Sequence, residues 1–120
     1  MMMTKSLSDL TVAKEEASAK LATLKMRLNT AETGYKIQRS LAMVDGTVDE
    51  LAKEHGDIKT TEKNVVALLD AFFGEVIEEI SRLQNEVVLA QHQMDCARWE
   101  LNLGYTEWGL TQKHGEEWYE

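Results

Sequence analysis

Residues 66–101 read VALLDAFFGEVIEEISRLQNEVVLAQHQMDCARWEL, and this stretch decides the fold. Val66, Leu69, Phe73, Val76, Ile80, Leu83, Val87, Ala90, Met94, Ala97 and Leu101 recur in alternating steps of three and four residues. That step averages half a heptad, so all eleven side chains fall on one side of a helix and form a coiled-coil-type seam. Thr60 or Thr61 supplies the cap, and the helix is predicted over about 61–103, ending before Gly104.

Working back toward the N-terminus, Asp45-Gly46 marks a turn. Thr47-Val48-Asp49-Glu50 has the spacing of a capping box, so a short helix is predicted over 47–55, closed by Gly56-Asp57. Ahead of it lies a second long pattern, over about 8–43. Leu10, Ala17, Leu21, Leu24, Leu28, Ala31, Tyr35 and Ala42 share its seam, with Lys14 and Gln38 interrupting. Ser6 and Asp9 stand at its start like a cap. Gly34 lies inside it and costs about 1 kcal/mol relative to alanine, so a break is expected there if anywhere.

Two long helices joined by a short connector lie antiparallel. Charge favours the same pairing. Residues 1–40 carry seven basic and four acidic side chains, whereas residues 63–98 carry three basic and six acidic. The expected fold is therefore all-α: a long antiparallel, coiled-coil-like hairpin over residues 1–104, with a short connecting helix and an aromatic, acidic tail over 105–120. Folding the hairpin about residues 52–54 brings Tyr35 toward Phe72 and Phe73, with Gly34 and Gly74 making room for the rings.

One seam per helix leaves apolar residues over. Val65, Leu68 and Phe72 flank it at one end; Val88, Leu89, Cys96, Trp99 and Leu103 form another face at the other. An uncovered face of this kind normally has a partner. Trp108 and Leu110 folding back from the tail is one candidate. A second copy is the other, and it would make the hairpin a dimeric four-helix bundle. Five of the eight aromatic residues lie in the last 22 positions, including Trp99, Tyr105, Trp108, Trp118 and Tyr119. Aromatics set among acids make good anchors for a docking peptide.

Composition narrows the class. The 120 residues include no proline and one cysteine; 43% are hydrophobic, 28% charged, and the net charge is −8. A lone cysteine excludes a disulfide scaffold. The longest run without Asp, Glu, Lys or Arg is Val87–Met94, too short for a membrane span, and residues 1–6 do not resemble a secretion signal. The protein is expected to be cytoplasmic, with no membrane and no cofactor.

Catalytic signatures are missing. The sequence has no phosphate-binding glycine loop, no nucleophile elbow, no Glu-x-x-His di-iron pattern and no pair of histidines four apart. His92 and Cys96, one turn apart with Asp95 beside them, would make half a zinc site; the plainer assignment is a small apolar thiol and a surface histidine. His55 and His114 have no supporting constellation. Glu75, Glu78, Glu79 and Glu86 form an acidic ridge, expected to be solvated. The basic residues Lys14, Lys20, Lys25, Arg27, Lys36 and Arg39 are diluted by Glu15 and Glu16, and the net negative field opposes direct nucleic-acid binding.

The expected function is a non-enzymatic protein–protein interaction module, an adaptor, assembly factor or chaperone-like protein. It would work through Trp99, Leu103, Tyr105, Trp108, Trp118, Tyr119 and the acidic ridge, probing for a basic protein partner. The alternative is a small acidic inhibitor, of phage or mobile-element origin, that occludes a basic nucleic-acid-binding or defence protein.

Overall fold

The computed structural model describes the backbone of residues 6–119 and the side chains of residues 6–109. It is all-α, an antiparallel hairpin of helices α1 (Leu7–Val44), α2 (Thr47–Glu54), α3 (Glu62–Phe72) and α4 (Gly74–Tyr119). No strand occurs among the described residues.

The predicted seam is the packed side. Of its eleven members along α3, Phe73 and α4, only Val66 is exposed; the rest are buried or half-buried. On α1, Leu10, Leu21, Leu24 and Ala42 are buried and Leu28, Ala31 and Tyr35 half-buried. The interruptions behave as their chemistry requires: Gln38 stays in water, while Lys14 is half-buried, its alkyl stem able to lie along apolar surface.

The chain divides into two compact units. Lys25–Asn85 is contiguous in sequence. Its core is Ala42, Val48, Leu69 and Phe73, with Tyr35, Val65, Val76 and Ile77 packed against them. The Tyr35 and Phe73 rings meet edge to face, with centroids 5.5 Å apart, the geometry their quadrupoles favour. A satellite cluster joins Leu51 and Ala52 of α2 to Leu68, covered by Ile58. The short helix thus buries Leu68 and leaves Phe72 of the same flank exposed. The other unit joins the α1 segment through Leu24 to the α4 segment from Glu86. There Leu21 and Leu24 pack on Ala90, with Val87 and Met94 alongside.

Local chemistry explains the boundaries. The Ser6 hydroxyl accepts the Asp9 amide at 3.1 Å and starts α1. Thr61 caps α3 by accepting the Asn64 amide. The capping box expected at Thr47–Glu50 is not made. The N-cap of α2 is Gly46, at φ +89°, with no side-chain cap bond. Asp45 acts instead, its Oδ1 accepting from both the amide and the hydroxyl of Thr47. Gly56 and Asp57 both take left-handed conformations, and they turn the chain so that the Ile58 amide returns to the Ala52 carbonyl.

α1 runs unbroken through Gly34, as the helix predicted over 8–43 requires. Three further expectations are corrected. A Cβ placed at Gly34 or Gly74 would meet nothing within 4 Å, so neither glycine is there to admit a ring. The long second helix is divided at Phe73, where φ −94° and ψ 18° leave helical geometry just before Gly74. Finally, the helix does not stop at Gly104. It continues to Tyr119, because Gly104 takes a buried seam position and no proline follows to remove a ladder bond. The segment from 105 is therefore more helix, and it does not fold back: Trp99, Leu103 and Trp108 stay 66, 42 and 55% exposed. Leu110 lies outside the described side chains.

Candidate interaction surface

An α-helix turns about 100° per residue. The seam of α4 from Val87 to Leu101 therefore points one way, while Val88, His92, Trp99 and Leu103 cluster within an arc of about 60° on the opposite side. α1 covers the first side only. The second is in water, with Val88 69% and Trp99 66% exposed and Leu89 beside them also exposed. Toward the N-terminus of α4 the same side turns polar, with Ser81, Gln84 and Asn85. The apolar back is thus confined to the unit built from the two chain ends.

Tyr105 lies off this stripe. It borders an open groove of about 580 Å³ with Thr11, Lys14 and Ala22 of α1 and Leu101 of α4. The groove exists because α1 offers Ser18, Ala19 and Ala22 there, side chains too small to fill it. Trp108 continues the seam series through Leu101 and Gly104, yet is more than half exposed. The side chains of Trp118 and Tyr119 lie outside the described residues.

The acidic set is divided between the units. Glu75, Glu78 and Glu79 are exposed in the contiguous unit, and Glu86 is half-buried in the other. Glu75 occupies the first turn of α4, where the helix dipole favours a negative charge. Glu79 takes a guanidinium hydrogen bond from Arg82 at 3.0 Å, and that bond holds its carboxyl below the usual glutamate range. Part of the expected ridge is therefore already neutralised within its own helix.

His92 Nε2 and Cys96 Sγ lie 3.7 Å apart and exposed. Asp95, next to them in sequence, instead accepts the Gln91 side-chain amide at 3.1 Å. Among the described residues no group of three His, Cys, Asp or Glu side chains is placed to hold a metal. No described helix is long and apolar enough to cross a membrane.

A further apolar strip escapes seam counting. Ile37, Leu41 and Val44 of α1, spaced four and three apart, are 56, 55 and 81% exposed. Their own helical spacing, offset from the Tyr35–Ala42 seam, is the signal that marks them. The contiguous unit also has an open groove of about 600 Å³ bordered by Tyr35, Lys36, Arg39, Ile77 and Ile80. No protein-family model matches the chain and no solved structure matches it significantly, so its residues alone carry the functional assignment.

Proposed function

We propose that the protein is a non-enzymatic interaction module that docks another protein through the C-terminal part of α4. One observation carries this reading: Trp99, Tyr105 and Trp108 are 66, 53 and 55% exposed on a single helix. Rigid aromatic side chains of this kind anchor interfaces, because they bury much area for little lost entropy. The favoured partner is a basic protein, since the net charge of −8 attracts positive surface and speeds encounter. The proposed setting is the cytoplasm and the proposed working form a homodimer, with no direct nucleic-acid contact and no cofactor.

The acidic-inhibitor reading draws on exposed Glu75 and Glu78. It ranks second because Arg82 engages Glu79. A comparison of variants separates the two. Photo-crosslinkers replacing Tyr105 and Trp108 should capture a specific protein, and Trp108→Ala should release it. Reversal of Glu75, Glu78, Glu79 and Glu86 to lysine should slow that association, most of all at low salt. Equal capture by wild type and Trp108→Ala would reject the aromatic surface; unchanged affinity of the lysine variant at low salt would reject the acidic one.

A further inference from the structure

We propose that the groove between α1 and α4 in the contiguous unit is a second docking site, and that it takes an acidic peptide segment of another protein with an aromatic side chain set among its carboxylates. This site goes beyond the aromatic surface described above. It lies within residues 25–85 and selects the opposite charge.

It rests on where the charge pairing of the two long helices fails. α1 is rich in basic residues, and the first turns of α4 are rich in acids. Simple pairing would set those acids against Lys36 and Arg39. The two cations instead border a groove whose α4 wall is Ile77, Ile80, Ser81 and Gln84. None of the ridge acids Glu75, Glu78, Glu79 and Glu86 lines it. Among the described residues neither Lys36 nor Arg39 makes an ion pair. Arg39 is half-buried, and a cation partly withdrawn from water gains most when a carboxylate is brought to it. One acid, Glu32, does border the groove. It is seven residues from Arg39, about 10 Å along the helix, so the Arg39 end is the positive one.

The rest of the lining fixes the rest of the occupant. Ile80 is buried and Tyr35 and Ile77 are half-buried. They make an apolar floor, which rewards a ring that displaces water from it. Ser81 and Gln84 are exposed on the wall and supply donors and acceptors for a peptide backbone. The groove has a volume of about 600 Å³, and its α1 border runs from Glu32 to Ser40. That border is about 12 Å of helix, enough for three to four residues of extended chain at about 3.3 Å each. A bare anion would leave the floor uncovered, and a basic segment would meet Lys36 and Arg39.

The test is an amide chemical-shift titration of the full chain with a blocked peptide in which phenylalanine stands between two pairs of glutamates. Saturable shifts are expected at Lys36, Arg39, Ile77 and Ser81. Lys36→Glu combined with Arg39→Glu should weaken binding at least about tenfold. Ser81→Glu should act in the same direction, because it places an acid on the wall that lacks one. Glu78→Lys, outside the groove, should not weaken it. Circular dichroism checks that each variant keeps its helicity; should the Arg39 variant lose it, Lys36→Glu and Ser81→Glu, both at exposed positions, decide. The absence of saturable shifts at millimolar peptide overturns the proposal. So does equal binding of a peptide with lysine for each glutamate, or with glycine for the phenylalanine. Inorganic phosphate that shifts the same residues equally at matched ionic strength would reduce the site to a patch of charge and overturn the peptide assignment. Each of these outcomes is independent of photo-crosslinking at Tyr105 and Trp108.

Discussion

Asp45 holds the start of α2 through two bonds from Thr47, and both lower its carboxyl below the ordinary aspartate range. The charged form is thus favoured by the fold. Its stabilising effect is complete above the unfolded-state pKa of about 3.9 and disappears as the pH falls through the lower folded value. Protection of the Thr47 amide, its exchange measured against the unstructured rate at the same pH, should hold down to about pH 4 and fall below it, and Asp45→Asn should flatten that dependence. Leu69 makes the opposite case, a side chain 0% exposed in the middle of its cluster. Leu69→Ala should cost about 2–5 kcal/mol in urea unfolding, from lost burial and the cavity left behind. Gly34 has open space where a Cβ would go and lies inside a continuous helix. Gly34→Ala should therefore raise stability by about 0.5–1 kcal/mol, seen as a higher Tm. A loss would mean the glycine does make room for a neighbour.

The elements were largely legible because period and packing agree. Leu21, Leu24, Ala90, Leu83 and Leu101 follow the 3-4 step and are all buried; nothing in their surroundings opposes the pattern. Tyr35 against Phe73 followed from folding the hairpin about its connector. The misreadings have a common cause, which is that short polar and glycine signals act only in context. Thr47 and Glu50 have the spacing of a capping box, yet Gly46 in a left-handed conformation lets Asp45 reach Thr47 first. Gly104 resembles a stop signal, but a helix ends where its ladder fails, and nothing after Gly104 breaks it. Gly74, with the same side chain, does coincide with an interruption, because Phe73 turns out of helical geometry. The surface was only half legible: the back of α4 could be counted from the sequence, while the Ile37–Leu41–Val44 strip was lost among hydrophobic residues already assigned to packing. A double-mutant cycle on Tyr35 and Phe73 should give a coupling of about 0.5–1.5 kcal/mol, and coupling near zero would make their contact incidental.

At the scale of the whole molecule, the two units differ in how the chain builds them. Both clusters around α2, that of Leu69 with Phe73 and that of Leu51 with Leu68, draw only on residues 25–85. A fragment spanning 25–85 should therefore keep its helices and melt cooperatively by circular dichroism; a non-cooperative melt would show that the two chain ends are needed to hold it. The other unit joins residues about seventy positions apart, with Leu21 and Leu24 waiting for Ala90. Distant contacts of this kind form late, because the intervening chain must be ordered first. On the ribosome the delay is also imposed by direction. Residues 25–85 emerge able to close on themselves while Leu10, Leu21 and Leu24 are already outside with nothing to cover them. The apolar side of α1 is thus completed only when α4 has been made, so a chain halted before residue 86 would present those leucines to chaperones and proteases as the mark of an unfinished protein.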